Sequence, residues 1–239
     1  MMGNLREWFE EDAADFGSAG VAAGAKLRFG DLVVNPELHY EMLAFDYDPF
    51  SQQYGGSLSF DYTVNTDLTL FAEAVKEYQE YDDDDDGDRD GWKYGGAAGF
   101  RAQLWQRNRL TARAGYLRKE ADDGHFAYDE LALYLGDRQQ LGGGQYLLGQ
   151  VWYSNVQYDD PDASIDPTTE REDDRYRFRL AYGVPRRTAF GAAGVTLPKG
   201  VADIVFELSG SHYIRESNIS NFDAHSTSGQ FLFTKSFAF

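Results

Sequence analysis

From about residue 17 to the end of the chain, apolar side chains fall on alternate positions over stretches of roughly ten residues, broken by clusters of Gly, Asp, Asn or Pro. Side chains of an extended strand point alternately to opposite faces, so this pattern dictates a many-stranded antiparallel protein with one apolar and one polar face. Leu58, Phe60, Tyr62 and Val64 share a face in SLSFDYTV, as do Leu68, Leu70, Ala72 and Ala74 in DLTLFAEA, with NTD as the turn between them. The same period places Tyr94, Ala98, Phe100, Ala102 and Leu104 together, then Leu110, Ala112, Ala114 and Tyr116. Later stretches repeat it with Tyr176, Phe178, Leu180 and Tyr182, and with Ile204, Phe206 and Leu208. Between these lie Ser57, Ser59, Asp61, Thr63, Thr69, Glu73, Lys93, Arg101, Arg113, Arg175, Arg177 and Arg179.

Alternation alone permits a soluble sandwich whose apolar faces meet. Three features favour a wall that crosses a bilayer. The apolar face carries Ala, Gly and Leu in mid-strand and Tyr, Trp and Phe near strand ends, as a lipid-facing band with aromatic girdles does. The strands, about ten residues long, suit a tilted crossing of a bilayer better than a soluble sheet. Connections alternate between short ones (30–31, 65–67 and 106–109) and long acidic ones (45–53, 81–91, 118–125, 158–174 and 215–225). That sorting fits a barrel with turns on one rim and loops on the other. The expected fold is therefore all-β, an antiparallel up-and-down transmembrane β-barrel. No stretch approaches the roughly 18 apolar residues of a membrane helix. The net charge of −18 argues against nucleic acid, which would be repelled. The absence of cysteine removes disulfides and thiolate metal sites.

The terminal FLFTKSFAF, with Phe231, Phe233, Phe237 and Phe239 on alternate positions, resembles the C-terminal strand signal of Gram-negative outer-membrane β-barrel proteins. The resemblance implies a bacterial outer-membrane location, contact with lipid and lipopolysaccharide, and a final aromatic residue read by the barrel-assembly machinery. Lys235 departs from the pattern by placing a charge in the outward register. The last third of the chain is also loosely similar to the barrel domains that follow tetratricopeptide-type periplasmic repeats in export porins. That similarity implies a periplasmic repeat domain or partner, and it transfers no functional residue.

Taken in order, the connections give eleven strands, whereas single-chain bacterial barrels have an even number. Twelve is the expected total within a range of 10–12. Residues 188–197 supply the missing strand, or it lies upstream of the chain; omitting 18–29 would leave ten. Residues 1–16 are expected as a linker or lumen plug, with 17–239 as the barrel. NLREWFEEDAADF, with Leu5, Trp8 and Phe9 on one side, is the helix-compatible stretch. There is no apolar leader, so a secretory signal has been removed or the chain continues upstream.

Glu73, Arg101, Arg113, Arg175, Arg177, Arg179, Asp203 and Glu207 are expected to line the lumen, either as a selective charge ladder or as ion pairs filling a narrow interior. Asp86, Asp88 and Asp90 open like a calcium loop, but its closing Glu is missing, since Ala97 stands there; a solvated acidic loop with loosely associated Ca2+ is the other reading. No other cofactor is implied. His39, His125, His212 and His225 are scattered, and no nucleophile or metalloprotease motif is present, so no enzyme is expected. The expected function is a channel or export pore for small polar solutes or polymer. The alternative is a filled barrel that anchors a periplasmic or surface partner.

Overall fold

A computed structural model of the chain describes residues 2–7, 16–45, 48–82, 89–186, 188 and 204–235. Within them thirteen strands form one antiparallel sheet: β1 (Met2–Glu7), β2 (Phe16–Gly24), β3 (Leu27–Phe29), β4 (Leu32–Phe45), β5 (Asp48–Thr63), β6 (Leu68–Tyr81), β7 (Gly91–Ala102), β8 (Asn108–Lys119), β9 (Tyr128–Gln140), β10 (Tyr146–Tyr158), β11 (Glu172–Pro185), β12 (Ile204–Ser217) and β13 (Ala224–Lys235). Each strand pairs with its neighbour in sequence, except that β2 and β3 both pair with β4 and share one position in the wall. The wall thus has twelve strand positions in up-and-down order, the number expected from the sequence. Among the described residues β1 pairs with β2 and β13 with β12, and no register joins β1 to β13.

The route to twelve differs from the expectation. The helix expected over the N-terminal stretch is replaced at Met2–Glu7 by β1, whose residues pair with β2 from Met2↔Ala22 to Glu7↔Gly17. The open edge of β2 offers a row of unpaired backbone groups, and pairing with it outweighs a short apolar repeat whose Trp8 and Phe9 lie outside the described residues. Residues 2–7 of the segment expected as linker or plug therefore pair into the sheet, and residues 8–15 lie outside the described residues. Residues 189–197, within one of the two expected sources of a twelfth strand, also lie outside the described residues. Two other boundaries move. The segment 45–53, read as a long acidic loop, is taken into the β4–β5 hairpin, with Phe45 opposite Asp48 and a bulge at Leu43/Ala44. The segment 18–29, read as one strand, is interrupted between β2 and β3.

Burial is inverted relative to a soluble sheet. The outward row is apolar and open: Leu38 is 71% exposed, Leu180 61%, Leu208 63% and Phe233 69%. Inward positions of β6, β8 and β11 hold the buried Glu77, Lys119 and Asp173. Two aromatic levels bound the apolar band. Toward the long loops, Tyr40 Oη donates to Gln52 Oε1 (3.0 Å), Tyr94 to Glu120 (2.9 Å), Tyr116 to Asp129 (2.5 Å) and Tyr153 to Asp174 (2.7 Å). Each ring lies against the wall while its hydroxyl reaches polar groups at the rim, as at a membrane interface. Toward the short turns, Trp105 Nε1 donates to Gln139 Oε1 (3.1 Å) and the Tyr182 hydroxyl to Gln145. Tyr54 and Tyr62 mark the two levels on β5, roughly 26 Å apart along an extended strand.

The connection over 186–203 joins β11 to β12 on the short-turn rim, an exception to the sorting of loops by length. It touches the neighbouring short turn through Thr188, whose hydroxyl donates to Gly143 O (2.6 Å).

Gly91, which opens β7, has φ +157°, and an added Cβ would collide with the Glu120 carbonyl. Gly91→Ala is expected to destabilise the barrel by about 1–3 kcal/mol, read as a lower urea midpoint for loss of the compact, heat-modifiable gel band. Gly142→Ala, with open space around the site, is the matched control and should leave the midpoint unchanged.

Candidate solute pathway along the inner face

Register assigns the inner face residue by residue. Glu73 on β6, Arg101 on β7 and Arg113 on β8 share it with Arg175, Arg177 and Arg179 on β11 and Glu207 on β12. Seven of the eight residues expected in the lumen therefore face one side of the sheet; Asp203 lies outside the described residues. The structure resolves the two readings of this charge set unevenly from residue to residue.

Most of the cations are paired. On one side of the interior Arg101 Nη1 donates to Asp61 Oδ1 (2.6 Å), and Arg113 pairs with Glu73 from two strands away. Higher on the same side, Glu77 accepts from Lys93 Nζ (3.0 Å) and contacts His39 Nε2 (3.2 Å). Across the interior, Arg179 Nη2 donates to Glu207 Oε1 (2.5 Å), the ion pair expected between β11 and β12. Asp173, with no exposed side-chain surface, accepts from Arg171 (2.6 and 2.9 Å) and from Arg175 Nη2 (3.0 Å). Arg175 also donates to Tyr158 Oη (3.0 Å). Burying charge is costly unless it is paired, and these rows meet that requirement.

Arg177 is different. It is exposed within the interior, lies 5.7 Å from the Tyr213 ring centroid, and has no carboxylate at ion-pair distance among the described residues. Directly across the register stands Trp152. Both line a cavity of about 440 Å³ together with Glu73, Arg113, Glu130 and Tyr134. The expected three-arginine ladder thus divides into two structural members, Arg175 and Arg179, and one guanidinium that faces open space.

Several inner-face partners were not singled out from sequence. Glu73 and Glu77 lie four residues apart on β6 and so share a face, a parity that would have added Glu77. Asp173 precedes Arg175 by two residues on the same face but was read as part of the acidic loop 158–174. Of the calcium-loop candidates, Asp86 and Asp88 lie outside the described residues. Asp90 Oδ1 accepts the Tyr81 backbone N–H (2.7 Å), which uses part of its ligand capacity. Among the described residues, no group of three or more His, Cys, Asp or Glu is placed to hold a metal. Phe231 and Phe233 face outward from β13; Phe237 and Phe239 lie outside the described residues. Backbone register pairs Lys235 with Ile204.

The long loops carry their own fastenings. Hydrogen bonds from the Arg118 guanidinium hold the Asp159 carboxyl below the usual carboxylate range. His125 lowers Asp123 in the same way, with Nδ1 at 2.7 Å, and Ser164 lowers Asp162.

No family model matches the chain, and no curated protein matches it. Among solved structures, it is similar to the crystal structure of Pseudomonas aeruginosa OccD3 (OpdP), at 11% identity and a TM-score of 0.44, over 96% of this chain and 68% of that one.

Asp173→Ala leaves Arg171 and Arg175 without their shared carboxylate, and is expected to cost about 3–5 kcal/mol in urea unfolding from detergent micelles. The loops follow pH with a definite sign. A depressed carboxyl pKa stabilises the fastened loop above the ordinary carboxylate value of about 4, and that contribution is lost as pH falls through the lower folded value. Proteolysis within 159–171 by an acid protease, scaled to its rate on an unfolded substrate at each pH, should therefore accelerate below about pH 4, and Arg118→Gln should bring the same susceptibility to a neutral protease at neutral pH.

Proposed function

We propose that the protein is a bacterial outer-membrane β-barrel that conducts small polar solutes along its inner face. The observation that carries this reading is the inverted burial: Glu77, Lys119 and Asp173 are 5%, 4% and 0% exposed while the outward row of leucines and phenylalanines is open. In water a continuous apolar belt of this kind would drive aggregation, whereas in a bilayer it is the solvated surface. The cavity of about 440 Å³ beside Arg177, Arg113 and Glu73 brings charged side chains to open space on the inner face. In this reading the outer face contacts lipid and lipopolysaccharide, and the terminal phenylalanines are the signal read by the barrel-assembly machinery. The acidic loops gather divalent cations such as Ca2+ loosely at the outer surface. The protein transports solute and catalyses no reaction.

The ion-paired rows favour a second reading, a filled barrel that anchors a periplasmic repeat protein or a surface partner. Polymer export requires a wider clear lumen than the described cavity and is a third.

Membrane fractionation should place the protein in the detergent-resistant outer-membrane fraction. In planar bilayers the folded barrel should conduct, and Arg177→Glu should shift the K+/Cl− permeability ratio toward K+ by about twofold or more. A correctly folded barrel that never conducts would overturn the channel and leave the anchoring role.

A further inference from the structure

At the long-loop end of the interior, two lysines stand directly opposite each other. Lys93 on β7 and Lys119 on β8 are register partners and both point inward. Like charges in this position repel unless an anion lies between them. Two described carboxylates act on Lys119 from this level, Asp90 and Glu77: Asp90 Oδ1 accepts the Tyr81 backbone N–H (2.7 Å), and Glu77 is divided between Lys93 (3.0 Å) and His39 (3.2 Å). Lys119 is 4% exposed, yet its Nζ donates to a neutral acceptor, Gln79 Oε1 (2.7 Å), and otherwise lies 5.2 Å from the Tyr81 ring centroid. Among the described residues no carboxylate is within ion-pair distance of it. An ammonium has three hydrogens to donate, and one neutral acceptor with an aromatic face is thin compensation for burying it.

Both lysines line a cavity of about 1070 Å³ whose walls include Tyr81, Tyr128 and Tyr158. Tyr128 and Tyr158 pack with ring centroids 5.5 Å apart, and Arg171 stacks on Tyr158 at 4.6 Å. The acidic members of the lining, Asp123, Asp160 and Asp162, come from the loops rather than the strands, so the negative charge borders the mouth and the lysines stand deeper. Asp123 and Asp162 are already engaged by His125 and Ser164.

We propose that this vestibule binds a small aromatic anion, its carboxylate or phosphate seated between Lys93 and Lys119 and its ring against the tyrosines. The anion supplies the ion-pair partner that, among the described residues, Lys119 lacks. The aromatic walls favour a flat ring over an aliphatic one of equal charge, by roughly two- to tenfold in affinity. This site rests on the inner-face assignment above but not on conduction: it requires only the folded barrel.

The test is titration calorimetry on the full chain folded in detergent micelles at low salt, with benzoate, phenyl phosphate, cyclohexanecarboxylate and benzylammonium as probes. Benzoate or phenyl phosphate should bind, with the tighter of the two identifying the anionic group. Cyclohexanecarboxylate should bind more weakly than benzoate, and benzylammonium should not compete. Lys119→Gln should weaken binding at least about tenfold, the loss of a charge-assisted contact, while Lys119→Arg retains it. Folding of each variant is read from its heat-modifiable gel band; if Lys119→Gln fails to fold, Lys93→Gln must give the same loss. No binding of either aromatic anion at about 10 mM ligand, equal binding of benzylammonium, or binding unchanged in the folded lysine variant would overturn the site. A barrel that binds benzoate without conducting would refute the channel and keep this site; one that conducts without binding would refute this site alone.

Discussion

Glu77 shows what holds the sheet to its register. Its carboxylate is almost wholly removed from solvent, and it is satisfied only because Lys93 on β7 and His39 on β4 reach it from strands on either side. A slip of one residue in any of these strands would turn a charge outward into the apolar belt and a leucine or tyrosine into the interior. The same holds for the Arg179–Glu207 pair between β11 and β12, whereas Asp173 is satisfied within its own stretch of chain by Arg171 and Arg175. The cross-strand pairs need add little net stability, since pairing in the interior mainly offsets the cost of burial. Their effect is to make every neighbouring register far more costly than the observed one.

From that constraint the two faces acquire different tasks. Outside, small residues in mid-strand and phenols at the rims give a band matched to hydrocarbon, with hydroxyls handed to Asp129, Glu120, Asp174 and Gln52. Inside, most cations are committed to carboxylates. Arg177 at mid-depth and Lys119 near the mouth are among the basic groups that the described carboxylates leave to something else, as are Arg138, stacked on Tyr146, and Arg215, which donates to Phe222 O. A chain with net charge −18 thus keeps its acid mainly in the loops and turns a basic surface toward its interior cavities.

The wall itself was legible because a period of two is a local property: a strand declares its faces from its own residues, whatever its partners. Leu58, Phe60 and Tyr62, or Tyr176, Phe178 and Leu180, are placed correctly by alternation alone. What a single strand cannot declare is which edge it will meet. Met2–Glu7 reads as the start of a helix until the free edge of β2 is available to it. In the same way Asp48–Gln53, rich in turn-forming and polar residues, becomes strand because β4 extends alongside it. The inner-face site was legible as a list of polar residues and not as a set of partners. Arg175, Arg177 and Arg179 look equivalent in sequence, and only the extent of β11, which takes in Asp173, and its pairing with β12, which brings Glu207, reveal that two of them are occupied.

The alternation of environment along one strand tests the central claim most directly. The chain contains no cysteine, so single nitroxide labels can be introduced at Tyr176, Arg177, Phe178, Arg179, Leu180 and Ala181 on β11 after reconstitution into lipid vesicles. Collision rates with oxygen and with a water-soluble nickel complex should then alternate, with Phe178 and Leu180 oxygen-accessible and Arg177 and Arg179 exposed to the nickel complex or shielded from both reagents. Uniform accessibility along the strand, or nickel access at Phe178 and Leu180, would contradict an apolar outer wall around a polar interior.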